Sequence, residues 1–120
     1  MGEKQFVSAR IEGGVVIADV VTHSLSEYES KLVQHDVMEV AGKADGPAAH
    51  KIVLDCTKVS FLASAGIGMM IAMRKHCMDG GGQLVVCGLG KDIMDALRLT
   101  RVDKLLQIES DRSAALAKLS

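Results

Sequence analysis

The stretch Lys51–Cys77, KIVLDCTKVSFLASAGIGMMIAMRKHC, decides how the rest of the chain is read. A short apolar run, Ile52 to Leu54, ends in the acid Asp55, and a polar turn then leads to Ser64. The run has the length of a buried strand, and the proline-free amphipathic segment that follows has the spacing of a helix over Ser64 to Met78. Ser64 is expected at the start of that helix as its N-cap, where a small hydroxyl residue satisfies otherwise unpaired N–H groups. The same place suits a phosphate, because free N–H donors and the positive end of the helix dipole both favour negative charge. The stretch therefore points to a switch rather than an enzyme.

On its N-terminal side, Phe6 to Ile11 alternates loosely, Gly13-Gly14 supplies a tight turn and Val15 to Val21 is rich in β-branched residues. This is the pattern of a hairpin. Ser26 and Glu29 have the spacing of a capping box, and Val33, Val37, Val40 and Ala41 recur at helical intervals until Gly42. Lys43 to His50, with Gly46 and Pro47, reads as a loop within one domain.

On its C-terminal side, Gly80-Gly81-Gly82 is a turn into Leu84 to Cys87, a strand apolar enough to be buried on both faces. Gly88 and Gly90 end it. A helix over Lys91 to Leu99 with Ile93, Met94 and Leu97 inward, a short strand near Leu105 to Ile108 and a last helix from Ser110 or Asp111 complete the chain. The order ββαβαβαβα describes an α/β fold. Strands joined through single helices build a small, mixed, mostly parallel sheet with helices packed mainly on one face.

Composition narrows the function. The chain has 120 residues, 48% hydrophobic and 24% charged, which suits one globular domain. With 14 basic against 15 acidic side chains, and only Phe6, Tyr28 and Phe61 as aromatics, it offers neither a cationic surplus nor a stacking platform for nucleic acid. Cys56, Cys77 and Cys87 are odd in number and lack paired spacing, which suits a reducing cytoplasm. No apolar run is long enough to insert into a membrane, and Met1 to Gly14 lacks the basic start and apolar centre of a signal peptide.

Other candidate sites carry weaker signals. His23, His35, His50 and His76 are scattered without metal-ligand spacing and read as ordinary surface groups, so no metal is expected. Met69, Met70, Met73 and Met78 read mostly as core. The glycine triplet precedes a strand, whereas a phosphate-cradling loop follows one, so no nucleotide cofactor is expected. Ser64 lacks the G-x-S-x-G frame of a hydrolase nucleophile, and no acid, base and nucleophile are set to converge.

The segment Val53 to Gly68, VLDCTKVSFLASAGIG, resembles the signature of STAS domains, in particular those of bacterial anti-sigma factor antagonists. Leu99 to Ile108, LTRVDKLLQI, resembles the family's late segment, so the likeness spans nearly the whole chain. It implies a single STAS domain over residues 1–120. It further implies that Ser64 is phosphorylated by an anti-sigma factor that is itself a serine kinase, that a phosphatase resets it, and that only the unphosphorylated form sequesters this partner and so regulates transcription. Asp55, Thr57, Ala63, Ser64, Ala65, Gly66 and Ile67 are then the expected partner-binding residues, with Gly66 and Gly68 keeping the helix start uncrowded. The family usually carries an aspartate before the serine and a serine or threonine after it, where this chain has Ala63 and Ala65. That departure makes a non-phosphorylated STAS subunit of a signalling scaffold or lipid-transport complex the second reading.

Overall fold

Strands β1 (Val7–Glu12) and β2 (Val15–Val20) form the antiparallel hairpin, and both turn residues, Gly13 and Gly14, have positive φ, 59° and 78°. Only such a mirror-image turn matches the twist of the flanking strands in two residues. The computed structural model describes residues 5–119, so the first four residues of the N-terminal reading lie outside it.

Helix α1 (Glu27–Gly42) starts at the expected capping box, with the Ser26 N–H donating to Glu29 Oε1 at 3.2 Å. A 3-10 turn, Gly46–His50, then delivers β4 (Lys51–Asp55), and a two-residue strand β5 (Phe61–Leu62) precedes α2 (Ser64–Asp79). β6 (Gln83–Cys87), α3 (Lys91–Leu99), a second 3-10 turn (Val102–Lys104), β7 (Gln107–Glu109) and α4 (Arg112–Leu119) follow. The last strand thus begins two residues later than the sequence suggests, because Leu105 closes the 3-10 turn with its N–H on the Val102 carbonyl. Asp111 immediately precedes α4 and caps it, its Oδ1 accepting the Ala114 N–H at 2.8 Å, so the helix begins one residue beyond the later of the two expected starts.

The main sheet runs β1-β2-β4-β6-β7, antiparallel only at β1/β2. Strand alternation sorts its side chains into two layers. Val16, Ala18, Ile52, Leu54, Leu84 and Val86 pack with α1, α2 and α3, whereas Ile17, Val53, Val85 and Cys87 face Ala115 and Leu119 of α4. Three helices therefore cover one face and one short helix the other. Ile93 and Leu97 are buried as expected, while Met94 is half-buried.

Helix α2 holds its place by burial more than by propensity. Met69, Met70, Met73 and Cys77 recur along one stripe and are buried, each thioether contributing roughly 2 kcal/mol, while Met78 is exposed. This offsets the cost of Gly66 and Gly68 within the first turns.

The reading of the histidines as ordinary surface groups holds for the exposed His23 and His35 and is corrected by the fold for the half-buried His50 and His76. The rings of His50 and His76 stack with centroids 4.9 Å apart, and His76 Nε2 donates to the Ala49 carbonyl at 3.0 Å. The glycine triplet is what lets this pair fit, since a Cβ on Gly82 would lie 1.9 Å from the His50 carbonyl oxygen.

Candidate functional site

The start of α2 is set by a clamp that the sequence does not announce. A second strand, β3 (Ser24–Leu25), pairs in parallel with β5, matching Ser24 to Phe61 and Leu25 to Leu62. Around it the His23 carbonyl accepts the N–H groups of Ser60 (2.8 Å) and Phe61 (3.1 Å), and His23 Nδ1 donates to the Lys58 carbonyl at 3.1 Å. The Leu25 carbonyl accepts from Ala63 at 3.1 Å. Residues 58–63 are thus tied to 23–25 immediately before the helix.

The helix begins at Ser64 as expected, but with this clamp the N-cap falls one residue earlier. Ala63, with φ −87° and ψ 171°, is the N-cap, and its carbonyl accepts the first helical N–H groups, those of Gly66 (2.9 Å) and Ile67 (3.2 Å). Ser64 is the first helical residue rather than the cap. Ala63 offers no side-chain oxygen, so the N–H groups of Ser64 and Ala65 have no acceptor among the described residues. Ser64 itself is exposed, and its hydroxyl has no hydrogen-bond partner there.

The neighbours of Ser64 divide by burial. Ala63, Ala65 and Ile67 are half-buried and Thr57 is exposed. Gly66 is buried, where a Cβ would come 2.4 Å from Leu62 Cδ1 and 3.0 Å from the Leu25 carbonyl oxygen, so the first turn of α2 can lie on β3 only without a side chain. Gly68 faces open space. One turn beyond Ser64, Ile67 borders a cleft of about 270 Å³ with Phe61, Leu62, Ile93, Ala96 and Leu97. Phe61, 55% exposed, stands at this cleft.

Asp55 lies inside the protein on the α4 side of the sheet. Its Oδ1 accepts the Thr57 N–H (3.0 Å) and hydroxyl (2.6 Å), and Arg112 Nε and Nη2 both reach its Oδ2 at 3.0 Å. Asp55, expected among the partner-binding residues, is thus buried and holds the turn from within. Burial alone would raise its pKa, but the hydrogen bonds from Thr57 and Arg112 and the nearby guanidinium charge outweigh that, so the carboxyl titrates below its ordinary value. Arg112 also meets Asp19 at 3.5 Å, and Asp19 is the register partner of Asp55 on β2. Two carboxylates side by side on neighbouring strands are thus held by one guanidinium. Sequence reasoning passes over Asp19 and Arg112; the signal available to it is the pair of acids closing two adjacent strands.

The arrangement presents an unpaired hydroxyl on a rigid frame, beside free N–H groups and an apolar cleft. No group of three or more histidine, cysteine or acidic residues suited to a metal occurs among the described residues. No helix among them is long and apolar enough to cross a membrane.

Comparison with known proteins gives this geometry a family. An anti-sigma-factor antagonist (STAS) domain protein from Planctomyces limnophilus is 18% identical, with a TM-score of 0.79 over 95% of this chain and 97% of that one. An anti-sigma factor antagonist from Mycobacterium paratuberculosis, also 18% identical, superposes with a TM-score of 0.78 over 94% of this chain and 92% of that one. The Bacillus cell fate determinant SpoIIAA in its phosphorylated form, 10% identical, has a TM-score of 0.68 over 95% of this chain and 99% of that one. At these identities the likeness is one of fold. The family model described as STAS domain matches residues 7–115, and the chain belongs to the STAS domain family.

Proposed function

We propose that this domain is an anti-sigma factor antagonist whose binding is switched by phosphorylation of Ser64. In its unmodified form it docks an anti-sigma factor of the serine-kinase type through Ser64, the exposed edge of Phe61, Thr57, Ile67 and the first turn of α2. That docking releases a sigma factor and so regulates transcription in the cytoplasm. The domain acts by binding and not by catalysis. Asp55 serves from beneath the surface, holding Thr57 in place, and Gly66 keeps the helix start seated.

The observation that carries this reading is the exposed, unpaired Ser64 hydroxyl at the first residue of α2. A phosphate there meets the free N–H groups and the positive end of the helix, so the fold accepts it. A dianion trapped beneath a partner without cations costs several kcal/mol, and a few kcal/mol change occupancy by orders of magnitude. The existence of a phosphorylated form of SpoIIAA, which shares this fold, supports the chemistry. The test is incubation of the purified domain with extract of its own cell and ATP, followed by mapping of the phosphate, which is expected on Ser64.

The second reading, a constitutive STAS subunit in a signalling scaffold or lipid-transport complex, is favoured by Ala63 and Ala65, which leave Ser64 without a polar side-chain neighbour in sequence. Phosphate found only at other residues would select it. A phosphatase that resets Ser64 belongs to the first reading alone.

A further inference from the structure

We propose that a cavity of about 350 Å³ at the far end of α2 binds a small amphiphilic anion, an anionic head on a short apolar body. Its lining sets the cations Arg74 and Lys104 and the amides of Gln83 and Gln107 beside the apolar side chains of Met78 and Leu105. No acid lines it, although the chain as a whole has a net charge of −1.

Arg74 argues most strongly for a ligand. Arg112 and Arg10, half-buried like Arg74, are held by Asp19 with Asp55 and by Glu12, and the exposed Arg98 pairs with Asp95. Arg74 is half-buried with no acid or hydrogen-bond acceptor among the described residues. A guanidinium drawn partly out of water loses solvation that only an anion or several acceptors restore. The carbonyls at the end of α2 would repel an anion, but the Gly80, Gly81 and Gly82 N–H groups cover those of Cys77 and Met78 at 2.8 to 3.2 Å.

The apolar side is equally unusual. Met78 and Leu105 are 53% and 47% exposed, and both belong to the small set of large hydrophobics left in water, yet they line the same cavity. Lys104 and Leu105 reach it because Arg101 adopts a left-handed conformation, φ 63°, which turns the chain out of α3. Such a conformation is strained for a non-glycine residue. Charge at one wall and carbon at the other is the complement of a head and a tail. The cavity lies ten residues along α2 from Ser64, about 15 Å away along the helix axis, so this site stands or falls separately from the switch.

The test is titration of the labelled domain with octanoate, inorganic phosphate and octan-1-ol, following the amide signals of Gln83, Leu105 and Gln107. Octanoate is expected to bind saturably and at least about tenfold more tightly than either of the others. Arg74→Gln and, at the exposed Lys104, Lys104→Gln are each expected to weaken octanoate several-fold, while Lys118→Gln leaves it unchanged; thermal melts report whether each variant is folded. Lys104→Gln decides the matter if Arg74→Gln does not fold. Equal binding of phosphate alone, equal binding of octan-1-ol, no binding of octanoate, or octanoate binding indifferent to Lys104 would each overturn the proposal.

Discussion

Asp55 shows how one side chain holds both a turn and a helix. Its two oxygens are shared between Thr57 and Arg112, so a substitution that removes the charge acts on the loop leading to Ser64 and on the docking of α4. Asp55→Asn is expected to destabilise the domain by about 2 kcal/mol, the scale of hydrogen bonds to a charged group. The carboxyl titrates below the ordinary 3.8, so the folded state favours the deprotonated form. Its contribution is complete above the ordinary value and is lost as pH falls through the lowered one. Denaturant unfolding should therefore give a constant gap between the wild type and Asp55→Asn from pH 7 down to about pH 5, and a shrinking gap below about pH 4. Ser30 is the opposite case: its hydroxyl is buried in α1 with no partner among the described residues. Ser30→Ala is expected to stabilise by about 1 kcal/mol in the same assay, since an unsatisfied hydroxyl is removed and helix propensity rises.

At the scale of elements, the start of α2 separates what a sequence discloses from what it withholds. The hairpin, the capping box of α1 and the bounds of α3 are legible because each is written in adjacent residues: Gly13-Gly14, Ser26 with Glu29, and Gly90 before a periodic run. The N-cap of α2 is not, because Ala63 takes that place through a bond to Leu25, a residue of another strand. β3 and β5, two residues each, are too short to show any period. The clamp gives the two nearby glycines opposite behaviour. Gly66→Ala is expected to destabilise by about 1 kcal/mol net, since crowding against Leu62 and the Leu25 carbonyl exceeds the gain in helix propensity. Gly68→Ala meets open space and should stabilise by about 0.5 to 1 kcal/mol. Thermal melts of the two variants check the sign of each.

For the whole molecule, the layer arrangement follows from strand patterns that the sequence shows, while the ties across it do not. β6 reads as buried on both faces, and Leu84 through Cys87 are buried. Arg112 reaches Asp55 across 57 residues and His76 reaches Ala49 across 27, distances at which no local pattern operates. All three cysteines are free and buried. Burial pushes the thiols of Cys77 and Cys87 up to about 12, and that of Cys56 higher still. At pH 8 none should be alkylated in the native domain, and all three should react together on unfolding; fast labelling of one alone would reveal a local opening.

The proposed switch rests on the same rigid frame, since it requires that a charge added at Ser64 alter the surface without loosening the fold. The decisive measurement compares two baits, the domain with an unmodified Ser64 and the domain carrying phosphoserine at that position, both shown to be folded by their melts. The unmodified bait should retain a serine-kinase-type anti-sigma factor from its own cell's extract at least about a hundredfold more tightly, equivalent to about 2.7 kcal/mol. Equal retention by the two, or retention by the phosphorylated bait alone, would contradict the account.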